Sequence, residues 1–185
     1  MITVMHTSHA WMAGFCVAAL ATATVAAASQ GAESWNFVNL GMRLHAANDT
    51  FSDKKVYGDN DLSYKLGYEY HESVAFWQLA ANWTPEATGA ADIDWAMAPE
   101  LNLLFKDGWV RAGVGALIDY VARNDSDGGS DWTSVYWQFL AGVGIPLGNA
   151  FTLDGYVYYP FSKWNRLNEF DFAEIEYGIN LGYKF

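Results

Sequence analysis

The chain has 185 residues, one domain's worth, of which 52% are apolar and 17% aromatic, with Trp 9, Tyr 11 and Phe 11. A formal net charge of -11 excludes nucleic acid as a partner, because phosphate binding needs basic surface. Gly 17 and Pro 4 fit a β-rich folded chain, not a disordered one.

Residues 10–28, AWMAGFCVAALATATVAAA, are apolar, uncharged and end on small residues. Ala26-Ala27-Ala28 is an A-x-A cleavage site, and Gly31-Ala32 is a second. The preceding MITVMHTSH carries no Lys or Arg, which leaves Met5 and Met12 open as alternative starts. We expect a signal peptide over 1–28, cleaved as late as 32, then one β-patterned domain over 33–185. A single membrane-spanning helix is the alternative for the leader. The one cysteine, Cys16, lies in that leader, so the processed chain has no disulfide, thiolate metal site or Cys nucleophile. Phe15 before it argues against a lipid anchor, and no cofactor or metal is expected.

Eight segments then alternate with period 2, the mark of a strand with two different faces. The first, 36–46, sets Val38, Leu40, Met42 and Leu44 against Asn39, Gly41, Arg43 and His45. The second, 61–71, sets Leu62, Tyr64, Leu66, Tyr68 and Tyr70 against Ser63, Lys65, Glu69 and His71. The third, 73–84, opposes Trp77, Leu79 and Trp83 to Phe76, Gln78 and Asn82. The fourth, 92–104, opposes Ile93, Trp95, Met97, Leu101 and Leu103 to Asp94, Glu100 and Asn102; Pro99 falls inside it, and a bulge is expected there. The fifth, 109–122, opposes Val110, Val114 and Ile118 to Arg111, Gly113 and Asp119. The sixth, 132–145, opposes Val135, Trp137, Phe139 and Val143 to Ser134, Tyr136 and Gln138. The seventh, 151–160, opposes Phe151, Leu153, Val157 and Tyr159 to Asp154, Tyr156 and Tyr158. The eighth, 172–185, opposes Ile175, Tyr177, Ile179, Leu181, Tyr183 and Phe185 to Glu174, Glu176, Asn180 and Lys184.

A soluble sandwich or barrel also alternates, but it hides its apolar face. Here the polar face carries both charge signs and many glycines, while the apolar face has rings at strand ends with aliphatics between them. That pattern predicts an inside-out barrel with aromatic girdles in the two headgroup layers. Turned inward, Arg43, Lys65, Glu69, Asp94, Glu100, Arg111, Asp119, Asp154, Glu174, Glu176 and Lys184 would form a lumen charge network. Eight strands close a barrel that side chains just fill, and closure leaves no edge unpaired in lipid. Connections alternate short (around Glu72, at 106–108 and at 147–150) and long (47–60, 85–91, 123–131 and 161–171). Short periplasmic turns and long outer loops are the barrel asymmetry. The fold class is therefore all-β, an eight-stranded antiparallel transmembrane up-and-down β-barrel.

The stretch 33–185 resembles the small eight-stranded outer-membrane barrels of Gram-negative bacteria, such as the outer-membrane protein A transmembrane domain and the X and W types. The sharpest local match is the last strand, where Tyr177, Ile179, Leu181, Tyr183 and Phe185 alternate to a terminal Phe. The resemblance implies a barrel-assembly signal there, and outer-membrane lipid, lipopolysaccharide and the barrel assembly machinery as partners of a monomer.

Three functions are weighed. The first is a structural or surface-interaction barrel without catalysis. The alternative is a narrow, porin-like channel or transporter for small or hydrophobic solutes. The third is a lipid A-modifying enzyme. For the third, His45 has Ser52, Ser63, Ser126 or Ser130 as conceivable partners and Asp125, Asp127 or Asp131 as orienters. No His occurs after His71, which removes the His-Ser pair of the deacylase type, and no segment carries the palmitoyltransferase motif. Asp125, Asp127 and Asp131 fail the calcium-loop spacing, though divalent cations could bridge them to lipopolysaccharide.

Overall fold

A computed structural model describes residues 34–46, 56–124 and 129–185. The leader, both cleavage sites, Cys16, Ser52, Asp125, Ser126 and Asp127 lie outside the described residues. The barrel is the unit Trp35–Phe185.

Ten strand segments make eight staves: β1 (Trp35–Leu44), β2 (Leu62–His71), β3 (Ala75–Thr84), β4 (Ile93–Asp107), β5 (Val110–Leu117), β6 (Tyr120–Arg123), β7 (Ser130–Trp132), β8 (Tyr136–Leu147), β9 (Phe151–Phe161) and β10 (Glu176–Lys184). β5 and β6 both pair with β4 and are two halves of the fifth stave. β7 and β8 pair with those halves and make the sixth. Every neighbour is antiparallel, and the β1–β10 and β3–β4 pairings close the cylinder. Gly108 and Gly148 take positive φ in the short turns, a conformation that costs glycine little.

The two faces have opposite chemistry. Leu40, Leu66, Val110, Ile179 and Leu181 are exposed on the outer wall, while Arg43, Lys65, Glu100 and Glu176 are buried within. A soluble monomer does not show so continuous an apolar surface; a barrel embedded in hydrocarbon requires one.

Two expectations about the wall are corrected. Pro99 causes no bulge: it holds regular register with Ala81, and the ladder to the fifth stave lapses only between Leu117 and Tyr120 before resuming in the same register. The pyrrolidine nitrogen has no hydrogen to give, but the Ile118 N–H still donates to the Pro99 carbonyl. The irregularity in β4 falls between Ile93 and Trp95 instead. The eighth stave starts late. Asp171 caps a short 3-10 turn, Phe172–Glu174, by accepting from the Ala173 N–H, so β10 begins at Glu176.

At the long-loop end, the Asp61 carboxylate accepts from the Gly58 N–H (2.8 Å), the Thr88 N–H (2.7 Å) and the Thr88 hydroxyl (2.7 Å). This clasp ties the first long connection to the second. Asp61→Ala removes three charge-assisted hydrogen bonds, each worth about 1.5–3 kcal/mol at most. Amide exchange at Thr88 should accelerate at least tenfold while protection in β2 and β3 stays unchanged; equal exchange in parent and variant would show that the clasp does not hold the loop.

Candidate functional site: the polar interior

The interior stacks in three levels. Midway, Arg43 from β1 lies between Glu176 of β10 (Nε to Oε2, 2.5 Å) and Glu100 of β4 (3.2 Å). Lys65 of β2 pairs with the other oxygen of Glu100 and donates to Gln78 at 2.9 Å. Gln138 donates to Glu100 (3.2 Å) and to Asn102 (2.7 Å), and Asn102 donates to Gln78 (2.9 Å). The Arg43 guanidinium sits 4.2 Å from the Tyr158 ring centroid. Charge removed from water is tolerable only with this kind of pairing.

Toward the short turns, Phe76, Leu104, Leu140, Tyr156 and Tyr158 pack into a buried apolar cluster. Arg111 lies against it, bound to Asp154 (2.8 Å) and the Tyr156 hydroxyl (3.2 Å), 5.3 Å from the Phe76 centroid. Glu69 binds His71 (2.7 Å), Gln78 (2.7 Å) and Asn39 (3.0 Å), and His71 stacks on Phe76 at 4.3 Å.

Toward the long loops, His45 Nδ1 contacts Glu176 at 3.1 Å and Nε2 contacts the Ser63 hydroxyl at 2.5 Å. The Ser63 oxygen also lies 2.5 Å from that of Thr84. Tyr57 stacks on His45 at 3.8 Å and donates to Asp119 at 2.7 Å. Burial, with the Asp119 carboxylate opposite, holds the Tyr57 hydroxyl protonated far above its ordinary range. Ser63, His45 and Glu176 thus stand in the order of an acyl-transfer relay. Ser63 is wholly buried, its oxygen is shared with Thr84, and Glu176 is held by Arg43. In this arrangement no substrate carbonyl reaches the hydroxyl. Ser130 is exposed at the start of β7.

Of the eleven residues expected in the lumen, Arg43, Lys65, Glu69, Glu100, Arg111, Asp119, Asp154 and Glu176 are buried inside. Asp94 is not: the register shift beside it turns it outward, and Ile93 takes the inward place against Val56, Tyr57 and Ala87. Glu174 lies on the 3-10 turn, where its carboxylate interacts with Tyr159. Lys184 is exposed at the rim, its ammonium 4.7 Å from the Trp35 centroid. In the terminal strand, Tyr177, Ile179, Leu181, Tyr183 and Phe185 are all exposed on the outer wall or at its end. The amides of Asn39, Gln78, Asn102 and Gln138, which are not among the expected lumen charges, join the ions into one network. Their signal was present, since they share the inward parity of the charges. At the loop end of β6, Arg123 donates to Asp92, just before β4, and holds that carboxyl below the usual carboxylate range. Among the described residues no group of three or more His, Cys, Asp or Glu gathers as a metal site.

No protein-family model matches the chain, and no curated protein does. Solved structures do. The N-terminal β-barrel domain of Pseudomonas aeruginosa OprF aligns with a TM-score of 0.54 at 14% identity, covering 84% of this chain and 100% of that domain. Neisserial surface protein A aligns with a TM-score of 0.50 at 12% identity, covering 84% of this chain and 98% of that one. In fold, this chain is a closed eight-stranded antiparallel β-barrel similar to the small outer-membrane barrels of Gram-negative bacteria.

Proposed function

We propose that this chain is an outer-membrane barrel with a structural or surface-interaction role, a sealed interior and no catalysis. The observation that carries the reading is the filled interior, in which the Arg43–Glu100–Glu176–Lys65 cluster crosses the lumen midway. The ring cluster of Phe76, Tyr156 and Tyr158 obstructs it a second time. An ion would have to strip its hydration and separate buried pairs to pass. Outer-membrane lipid and lipopolysaccharide are the surroundings that suit the apolar wall. The alternating Tyr177, Ile179, Leu181, Tyr183 and Phe185 are the segment the barrel assembly machinery would read, and the lumen network serves stability and shape, not transport.

The test pairs two measurements on one preparation. Folded protein should migrate differently from boiled protein on a gel, as a stable barrel does, and should give no stepwise conductance in a planar bilayer. Reproducible unitary currents from heat-modifiable protein would replace this reading with the channel one. Lipid A altered by expression of the parent, and unaltered with His45→Ala, would replace it with the enzyme one.

A further inference from the structure

The connection from β9 to β10 does not continue outward from the rim. In β9 the outward residues are the odd ones, and Val157 is exposed as expected. Tyr159 and Phe161 have the same parity but are only 7% and 1% exposed. The connection after β9 covers them. Trp164, on a short 3-10 helix (Trp164–Glu169), packs on Phe161 (4.9 Å between centroids), Trp137 (5.6 Å) and Phe139 (6.0 Å). Phe170 packs on Tyr159 at 4.3 Å and on Phe172 at 4.9 Å. Trp137 and Phe139 are outward residues of β8. The connection is therefore folded back over the outer wall.

Folding back in this way does not remove apolar surface from the wall; it moves the surface outward onto the loop. Trp164 is 51% exposed, Phe170 46% and Phe172 78%, and these rings continue the apolar belt at its long-loop end. In water, a loop that buried two rings while exposing three would gain little. At a membrane surface, aromatic rings are stabilised at the boundary between chains and headgroups. Lys163, exposed beside Trp164, offers a cation to a headgroup phosphate at the same level.

We propose that the β9–β10 connection is an outer-leaflet anchor, a strap whose Trp164, Phe170 and Phe172 rings insert at the chain–headgroup boundary of the lipid around the barrel. The proposal rests on the membrane reading of the apolar wall. It makes that wall asymmetric: lipid meets bare strand around most of the barrel and meets the strap beside β8 and β9.

Full-length protein with Cys16→Ser is labelled with an environment-sensitive dye at one introduced cysteine and folded into phospholipid vesicles. Phe172→Cys reports on the strap, Leu40→Cys on the belt, and Glu86→Cys on an exposed outer loop. The vesicles carry a nitroxide either near the headgroup or near the chain end. The dye at 172 should be quenched about as strongly as that at 40, and at least about threefold more strongly than that at 86, with the headgroup-level nitroxide the better quencher at 172. If 172 matches 86 while 40 is quenched, the anchor is wrong and the membrane reading stands. A dye at 172 shielded from water yet quenched by neither nitroxide is covered by protein, and the anchor is again wrong. If 40 itself is unquenched in heat-modifiable protein, the membrane reading falls and the anchor with it. Ala173→Cys carries the same reporter with the Phe172 ring kept, should Phe172→Cys not fold.

Discussion

Replacing Arg43 with alanine is expected to destabilise the barrel by about 3–5 kcal/mol, the cost of removing one member of a buried ion cluster and leaving its partners uncompensated. Arg43 is 1% exposed and bridges two carboxylates from opposite sides of the cylinder, Glu176 on β10 and Glu100 on β4. Without it, among the described residues, Glu176 keeps only His45, and Glu100 keeps only Lys65 as an ionic partner. A cavity is added beside Tyr158, whose ring faces the guanidinium. Most of the loss should come from the stranded carboxylates. Glu176→Gln in the Arg43→Ala background should therefore cost much less than Glu176→Gln alone, a coupling of about 1–3 kcal/mol. Urea unfolding in vesicles, followed by tryptophan fluorescence, reads all four corners of the cycle. Strict additivity would mean that the cluster is held by its amides and not by its charges.

That network was partly legible beforehand, and the pattern of success has a physical cause. A strand's side chains alternate strictly, so one correctly assigned residue fixes the face of every other until the register changes. Arg43, Lys65, Glu100, Arg111 and Glu176 lie on uninterrupted stretches of ladder, and parity alone places them inside. Asp94 was misassigned because the irregularity between Ile93 and Trp95 resets the parity, and no residue there announces it. Pro99 drew attention to the wrong place, since a missing N–H interrupts a ladder without shifting it. Glu174 was misassigned because Asp171 caps a 3-10 turn where the alternation could equally have started a strand. Partners were less legible than faces. That His45 meets both Ser63 and Glu176 depends on the closure that lays β1 between β2 and β10, with Leu44 opposite Leu62 on one side and Tyr177 on the other. Tyr159 and Phe161 mark a further limit: parity states which way a ring points, not what lies over it.

Gly113→Val is expected to destabilise the barrel by at least about 1–3 kcal/mol, the ordinary cost of overpacking. A Cβ at Gly113 would fall 2.1 Å from the Leu103 carbonyl oxygen and 2.7 Å from the Leu104 Cα. Both are backbone atoms of β4, held in the ladder on both sides, and they cannot swing away as a side-chain tip could. Gly155→Ala is the internal control, because a Cβ there meets nothing within 4 Å and the position looks outward from β9. Its effect should lie within about 0.5 kcal/mol of zero, with a small gain expected from the stiffer unfolded chain. Strand propensity makes the contrast sharper. Valine suits a pleated strand better than glycine does, so propensity alone would make Gly113→Val stabilising. A loss at 113 therefore isolates the close approach of β4 and β5 as the reason glycine is there. If Gly113→Val unfolds at the parent's urea midpoint, the two staves are farther apart than the closed interior requires, and the packed lumen behind the sealed-barrel reading loses its support on that side.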